Sequence, residues 1–364
     1  MNSTRAILYG IGRFFSPLYC VAMKIRERNY RTGVFKVADP GVPVISIGNL
    51  TMGGTGKTPM TWHFARLLRD NGFRPAVISR GYGGATREPV NVVSDGSSIL
   101  LDARTVGDEP RLLAETLPGV MVLTGVVRRL PARRAVEMGA DVLLLDDGFQ
   151  HMAMARHLDL VLFNADTLAG NSRVFPGGDL REPVSALNRC HCFVLTGTND
   201  ANRERAGRFA ELLQTRFPGR PVYFTGYRPA GFVELAADGR GHEARDVDLA
   251  GARCFAFCGI ARPDSFARTL EQMAIEPVEF RGLPDHHGYR QAEVDRLLAR
   301  ADRAGATVLL TTEKDLVKLA GFDLSLPLYG IRMAVDPEPE LDRRVLAVAA
   351  GRDCGGEVSG PARD

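Results

Sequence analysis

The sequence predicts an α/β protein: a P-loop NTPase-like, mainly parallel sheet domain, followed by a second, smaller α/β domain that a β-ribbon linker joins to it. Two observations support this fold class. Short apolar segments alternate with amphipathic segments along residues 44–217, and the alternation resumes after residue 251. Between them lie a β-rich stretch, residues 222–235, and a polar, glycine-bearing stretch, residues 236–250, which is typical of a linker.

Composition excludes several classes of protein. With 364 residues, 45% of them hydrophobic and 24% charged, the chain has ordinary globular composition and is long enough for two domains. A net charge of +3, without basic runs interleaved with aromatic residues, does not indicate nucleic-acid binding. The six cysteines form no C-x-x-C pair, so buried thiols are expected rather than a zinc site.

The N-terminal region is apolar first and basic afterwards. Residues 6–23 are mostly apolar, and K-I-R-E-R-N-Y-R follows them. A signal peptide has the reverse order, and Arg13 and Pro17 argue against a spanning helix. An interfacial helix fits better, with its apolar side chains among lipid headgroups and its basic flank on anionic lipid. A helix packed on the protein's own core is the alternative.

The first strand leads into a glycine-rich turn. Residues 44–47 are apolar, and the turn after them ends in Gly56, Lys57 and Thr58. Backbone N–H groups of such a turn surround phosphate oxygens at a helix N-terminus. Lys57 is expected on the β- and γ-phosphates, and the Thr58 hydroxyl on Mg²⁺. The residues expected to contact nucleotide are Gly53, Gly54, Thr55, Gly56, Lys57 and Thr58.

This turn departs from the usual pattern at one position. Thr51 stands where a glycine is common, and Gly53 and Gly54 can take over its role. The alternative interpretation is a tight strand-to-helix turn that binds no ligand.

The remaining elements follow in alternation. In the first domain we predict strands at 75–79, 90–93, 119–123, 141–145, 158–163 and 192–195, and helices at 59–70, 106–116, 128–138 and 201–217. In the second we predict strands at 254–258, 278–280, 307–311 and 328–335, and helices at 264–273, 291–304 and 341–349. The strand at 328–335 could pair back with the ribbon at 222–235.

Two adjacent acids, Asp146 and Asp147, end the apolar strand at 141–145. A carboxylate at the end of a buried strand, beside a phosphate-binding loop, is a common position for an Mg²⁺ ligand. An Asp-Gly turn without a metal is the alternative. Together with the loop, these acids indicate a protein that binds a nucleoside triphosphate with Mg²⁺.

A set of motifs then points to one family. G-N-L-T-M-G-G-T-G-K-T, S-R-G-Y-G-G, V-G-D-E-P, D-D-G-F-Q-H, L-R-E-P, P-D-H-H and T-T-E-K-D occur in this order. From about residue 10 to 335 the chain closely resembles the tetraacyldisaccharide 4′-kinases of lipid A biosynthesis. The resemblance implies ATP-dependent phosphorylation of the 4′-hydroxyl of tetraacyldisaccharide 1-phosphate, giving lipid IVA.

The resemblance also implies cofactors, partners and location. The cofactors are ATP and Mg²⁺, and the partners are the lipid A disaccharide 1-phosphate acceptor and an anionic membrane surface. Neither nucleic acid nor a protein partner is implied. The location is peripheral, at the cytoplasmic face of the bacterial inner membrane.

Residue roles follow from the same resemblance. Asp108 matches the family's general base and His286 its partner from the second domain, with His287 as a rival. From the residues alone, Asp108 could equally be a first-turn helix acid and His286 a surface histidine. The implied metal-side residues are Thr58, Asp146, Asp147, Gln150 and Glu182, and weaker substrate candidates are Arg128, His151 and Arg181. For Arg128, which Arg129, Arg133 and Arg134 accompany, a solvated helix arginine is the alternative.

We therefore expect the following layout: a membrane-interface helix region at 1–36, a P-loop kinase domain at 37–221, a ribbon and linker at 222–250, a smaller α/β domain with the returning ribbon and last helix at 251–350, and a tail at 351–364.

Other functions remain open from the residues. A membrane-associated P-loop switch or sorting ATPase is the main alternative. A GTP switch should also carry an Asn/Thr-Lys-x-Asp motif, and the lysine of T-E-K-D is one place too late for it. Thr312 and Asp315 fit a helix cap better. A nucleotide-binding module without catalysis is disfavoured by the full set of loop and acid residues.

Overall fold

The computed structural model describes residues 9–235, 241–244, 247, 249, 251–260, 262–285 and 287–352. The chain divides into two compact units. The first unit comprises Met1–Pro110, Leu117–Gly226 and Val335–Asp364, and the second comprises Arg111–Thr116 and Tyr227–Ala334.

The strands, in chain order, are β1 (Val44–Asn49), β2 (Pro75–Ser79), β3 (Asn91–Asp95), β4 (Met121–Thr124), β5 (Val142–Asp146), β6 (Leu158–Asn164), β7 (Cys192–Thr196), β8 (Val222–Leu235), β9 (Gly241–Ala244), β10 (Cys254–Cys258), β11 (Glu279–Gly282), β12 (Val308–Thr312) and β13 (Leu328–Pro337). The helices are α1 (Ser16–Arg31), α2 (Lys57–Asp70), α3 (Ala103–Val106), α4 (Asp108–Thr116), α5 (Arg129–Glu137), α6 (Arg203–Arg216), α7 (Pro263–Gln272), α8 (Gln291–Arg303), α9 (Glu313–Leu316) and α10 (Pro339–Ala349). Short 3₁₀ helices cover Val184–Arg189 and Val317–Leu319.

The first unit contains a mainly parallel sheet, which confirms the predicted fold class. Its order is β7-β6-β1-β5-β2-β4, with β3 antiparallel on the outer side of β4 and the start of β8 parallel to β7. Every residue of β1, β2, β5, β6 and β7 is buried, because helices cover both faces and the strands are therefore continuously apolar. The chain extends the sheet on one side of β1 through β5, β2 and β4, and on the other through β6 and β7. This reversal makes the carboxyl end of β1 a topological switch point, where α/β proteins bind ligands.

The last helix lies in the first unit, whereas the sequence placed it in the second domain. α10 packs against α2 and β1. Leu341 and Val345 are fully buried in that contact, and His63 Nε2 lies 2.8 Å from Asp342 Oδ1. An apolar helix face does not specify which sheet it covers, so this assignment was wrong for a physical reason.

The second unit contains a parallel sheet in the order β11-β10-β12-β13. β13 is also next to β8 in the hydrogen-bonded order, which confirms the predicted return of that strand. Part of the predicted linker is a strand, since β9 pairs antiparallel with Phe232–Leu235 of β8. Phe255, Phe257 and Leu309 form the centre of the apolar core on one face of this sheet.

The N-terminal helix α1 contains no buried residue, although Tyr19 and Arg26 bond to the first unit. Leu18, Val21 and Ile25, spaced three and four apart, each leave more than half of their surface in solvent. Phe14 and Phe15, just before the helix, are similarly exposed. None of the helices within the described residues combines the length and the hydropathy needed to cross a bilayer.

The thiols agree with the sequence interpretation. Among the described cysteines, Cys190, Cys192, Cys254 and Cys258 are buried and none forms a disulfide. Burial raises the pKa of Cys192 to about 12, so this thiol stays protonated.

Candidate active site

The glycine-rich turn joins the carboxyl end of β1 to α2. Gly56 adopts a left-handed conformation with φ of 77°, and α2 begins at the next residue, Lys57, rather than at residue 59 as predicted. Gly53 and Gly54 are exposed, and a Cβ added at either would meet no atom within 4 Å. The glycine pair therefore borders open space, which leaves its backbone accessible to a phosphate.

Lys57 links the turn to the strand-end acids. Its Nζ lies 3.3 Å from Asn49 Oδ1 and 3.6 Å from Asp147 Oδ1. The Thr61 hydroxyl, one turn further along α2, donates to Asp146 Oδ1 over 3.2 Å. The structure thus brings together the two motifs on which the sequence interpretation depends. Neither Asn49 nor Thr61 was predicted as a site residue. For Asn49, the position of a polar residue at the end of an apolar strand could have indicated a role in the site.

The adjacent acids Asp146 and Asp147 have different electrostatic environments. Burial, Glu109 and Asp147 together raise the pKa of Asp146 to about 6. Burial acts the same way on Asp147, but Lys57 and Arg181 outweigh it and hold the pKa of Asp147 below its ordinary value. Asp147 therefore stays ionised, while Asp146 is a buried carboxylate that lacks sufficient positive charge around it.

Two arginines fix Asp147. Arg181 Nη1 donates to both carboxylate oxygens of Asp147, at 2.9 and 2.8 Å, and lies 3.4 Å from Gln150 Oε1. The buried Arg128 donates from Nη1 to the Asp147 carbonyl oxygen over 2.7 Å. Gln150 Nε2 donates to the Asn49 carbonyl oxygen over 2.9 Å. Four of the predicted residues, Arg128, Asp147, Gln150 and Arg181, thus form one hydrogen-bonded group.

Glu182 and His151 both lie near arginines. Glu182 Oε2 accepts from Arg189 Nη2 over 2.7 Å, and its Oε1 is buried without a hydrogen-bond partner. Arg189 also lies 3.3 Å from Glu27 of α1 and stacks over Phe149 at 4.7 Å. Burial lowers the pKa of His151 to about 4, so this imidazole is neutral. Arg189 and Glu27 were not identified from the sequence, because their pairing joins distant parts of the chain.

Asp108 is the first residue of α4 and is half-buried. The preceding Gly107 has φ of 95°, and a Cβ there would lie 2.4 Å from the Tyr82 carbonyl oxygen. The S-R-G-Y-G-G loop is therefore packed backbone to backbone against the start of α4. Because the charge of the next residue, Glu109, acts on Asp146, this helix start lies near the carboxyl end of β5.

The histidines of P-D-H-H belong to the second unit. His286 lies outside the described residues. The ring of His287 packs edge-on against Tyr289 with centroids 4.9 Å apart, and its Nε2 lies 3.6 Å from Glu293 Oε1. Lys318 Nζ donates to the His287 carbonyl oxygen over 3.2 Å. His287 is thus held by neighbours of its own unit.

The donor set fits a hard divalent cation. Within the described ranges, no group of three or more His, Cys, Asp or Glu side chains is placed to share one metal. Mg²⁺ needs fewer, since it keeps several waters and binds substrate phosphates with one or two carboxylates. Asp146 provides such a carboxylate, and its raised pKa is the effect that a bound cation would reverse. The half-buried hydroxyl of Thr58 follows Lys57 at the start of α2.

Known proteins resemble this chain over most of its length. Residues 10–350 match the family model described as LpxK, tetraacyldisaccharide-1-P 4′-kinase. A tetraacyldisaccharide 4′-kinase of Desulfotalea psychrophila is 45% identical over 94% of this chain and 97% of its own length, and one of Syntrophus aciditrophicus is 43% identical over 91% of each. The crystal structure of the "apo" form of LpxK from Aquifex aeolicus in complex with ATP superposes with a TM-score of 0.74 at 28% identity, covering 92% of this chain and 97% of that one.

Proposed function

Since the chain belongs to the tetraacyldisaccharide-1-P 4′-kinase family, we propose that it transfers the γ-phosphoryl group of ATP to the 4′-hydroxyl of tetraacyldisaccharide 1-phosphate, a step of lipid A biosynthesis that gives lipid IVA. The chain is a kinase with ATP as its phosphoryl donor. The observation that carries this function is the contact of Lys57 with Asp147 at the switch point beside β1.

The turn and α2 bind the triphosphate. Backbone N–H groups of residues 53–58 surround the phosphates, and Lys57 neutralises charge on the β- and γ-phosphates as the bond to the leaving oxygen breaks. Asp146 and Thr58 would hold Mg²⁺, which when bound would offset the charge that develops on the phosphate oxygens. Asp147, fixed by Arg181, keeps Lys57 oriented toward the phosphates.

Asp108 acts as the general base. A sugar hydroxyl is a poor nucleophile, and a carboxylate within hydrogen-bond reach can accept its proton as the oxygen attacks phosphorus. Asp108 starts the helix whose Glu109 acts on Asp146, which supports a position beside the reacting phosphate. His286 is proposed as the residue that orients Asp108 or takes over its proton. Gln150 and Glu182 are proposed on the metal side of the site, and His151 on the substrate.

The enzyme works as a peripheral protein at the cytoplasmic face of the inner membrane. The exposed residues Leu18, Val21 and Ile25 of α1, together with its basic side chains Lys24 and Arg28, suit the headgroup layer of an anionic leaflet. The acyl chains of the acceptor require such a location.

The proposal is tested by incubating the full chain with γ-labelled ATP and detergent-solubilised tetraacyldisaccharide 1-phosphate. We expect label on the lipid, and we expect Asp108→Asn to lower kcat about a hundredfold or more, as general-base loss does. ATP binding, followed as a thermal shift, should survive. The matched control is Asp70→Asn, an exposed acid of the same unit.

Each outcome has a definite meaning. Release of labelled phosphate without lipid labelling would favour a switch or sorting ATPase instead. Full activity of the Asp108 variant would remove that residue from the mechanism and leave the kinase assignment intact.

A further inference from the structure

An exposed apolar turn lies between β4 and α5 of the first unit. Val126 exposes 68% of its surface, Val127 44% and Leu130 37%. Single exposed apolar residues are common on soluble proteins, whereas clusters of them mark interaction surfaces. Here three exposed apolar residues fall within five positions. We call residues 126–130 the apolar turn.

The apolar turn is held rigidly beside the active site. Gly125, just before it, donates its N–H to the Ser79 carbonyl oxygen over 3.1 Å, and a Cβ at Gly125 would lie 2.5 Å from the Pro89 carbonyl oxygen. Within the turn, the buried Arg128 donates to the Asp147 carbonyl oxygen. The valines are therefore presented at a fixed position, at the carboxyl edge of the sheet where the nucleotide binds.

Helix α1 is anchored to the same few residues. The Tyr19 hydroxyl donates to the Arg181 carbonyl oxygen over 2.8 Å, and Arg26 Nη2 donates to the Gln150 carbonyl oxygen over 3.1 Å. Arg181 in turn bonds the Asp147 carboxylate. Helix α1 and the apolar turn are thus each linked to Asp147 through one or two hydrogen-bonded residues, Arg181 on the helix side and Arg128 within the turn.

The charges around the turn are mainly positive. Arg129, Arg133 and Arg134 of α5 are exposed, and Glu137 is the acid that pairs with the last two. Arg80 is also exposed and is close enough to Arg128 for their charges to interact. Apolar side chains surrounded by arginines match an anionic bilayer, in which the former enter the acyl boundary and the latter meet headgroups.

We propose that the apolar turn is a second membrane-contact element, which inserts into the anionic leaflet together with α1. This inference rests on the proposed membrane-borne acceptor and extends it to the orientation of the kinase unit. The carboxyl edge of the first-unit sheet then faces the bilayer. The 4′-hydroxyl of an acceptor reaches Asp108 while its acyl chains stay in the leaflet.

The first test measures partitioning of the full chain onto vesicles of phosphatidylcholine and phosphatidylglycerol. Because two half-exposed valines lose their insertion, we expect Val126→Ser with Val127→Ser to weaken partitioning about tenfold. The control is Leu212→Ser, which changes a residue of α6 that is 57% exposed in the same unit and should leave partitioning unchanged. If Leu212→Ser weakened partitioning equally, general surface hydrophobicity would explain the binding and the proposal would fail. Unchanged partitioning of the valine variant would also overturn the proposal.

The second test detects contact directly and does not depend on activity. In a Trp62→Phe background, a tryptophan is placed at position 126, 18 or 212, and quenching by brominated lipid is measured. We expect quenching at 126 and 18 and none at 212. Quenching at 18 alone would make the apolar turn a water-facing or protein-binding surface and overturn this inference. Absence of quenching at both would reject membrane contact itself.

Discussion

At the scale of single residues, the candidate site gives two neighbouring acids different electrostatic environments. Asp147 lies between Lys57 and Arg181 and stays ionised, whereas burial raises the pKa of Asp146 to about 6. An ionised acid orients the lysine, and an acid that lacks a cation is suited to bind one. The letters D-D predict a metal site but not this division of roles, because it depends on Lys57 and on Arg181, which lies 34 residues further along the chain than Asp147.

Asp315 shows how a residue prediction can be correct and incomplete. The sequence predicted that Thr312 caps a helix together with Asp315, and the Thr312 side chain does accept from the Asp315 N–H. The Asp315 carboxylate, however, is fully buried and accepts from the Gly259 N–H at 2.8 Å, while Lys318 Nζ lies at 3.4 Å. The contact with Gly259, which lies 56 residues from Asp315, cannot be predicted from local spacing.

We expect Asp315→Ala to destabilise the protein strongly. The substitution removes the acceptor of the Gly259 N–H and the carboxylate that pairs with the buried Lys318 ammonium, which keeps only the His287 carbonyl. Breaking such a buried pair costs about 3–5 kcal/mol. Urea unfolding of both proteins measures the change. Asp295→Ala, which removes an exposed acid of α8 in the same unit, serves as the control and should change the unfolding midpoint little. Similar midpoints for the two variants would contradict the buried network.

At the scale of elements, the glycine motifs are explained by close approach of backbones. The sequence identified S-R-G-Y-G-G and V-G-D-E-P separately but gave no reason for their glycines. In the structure, Gly107 and Gly84 are the points at which the two segments touch, with added Cβ atoms only 2.4 and 2.5 Å from backbone oxygens. This contact sets the start of α4 and hence the position of Asp108.

Gly107→Ala is therefore expected to damage both folding and catalysis. Alanine at φ of 95° is strained and would displace the Tyr82 carbonyl, so we expect a loss of more than about 2 kcal/mol in unfolding free energy. A shift of Asp108 by about 1 Å can lower kcat about a hundredfold while KM for ATP changes little. The control is Gly72→Ala, which has φ of 86° but open space around it and so tests strain alone. A Gly107 variant that matched this control would show that the close contact has no role.

Element type was easier to predict than element placement. β2 and β8 lie where the sequence placed them, because proline, glycine and the apolar runs mark their ends. The strand β9, in a polar stretch, carries little apolar signal and pairs through its backbone. The placement of α10 depended on a partner surface that no local pattern records.

At the scale of the whole molecule, the reversal of the sheet at β1 explains why the site residues converge. The glycine-rich turn follows the carboxyl end of β1, and Asp146 and Asp147 lie at the carboxyl end of β5. The start of α4 lies beside them, so residues between positions 49 and 182 meet at one edge of the sheet. The apolar surface of α1 is fastened to that edge by Tyr19 and Arg26. The proposed membrane-contact surface and the candidate site thus belong to the same unit.

The exposed apolar residues of α1 are different from the residues that bond to the site, so they can be changed without disturbing it. Deleting residues 1–25 would remove Tyr19 as well as the apolar face, so loss of activity would be ambiguous. We instead expect Leu18→Ser, Val21→Ser and Ile25→Ser together to weaken flotation with phosphatidylglycerol vesicles more than tenfold, since three large apolar side chains lose their insertion. ATP binding should persist because Tyr19, Arg26 and Glu27 keep their contacts, and Leu212→Ser should float like the unchanged chain. If the triple variant floats equally well, α1 is not the membrane anchor, and the exposed stripe must meet some other partner.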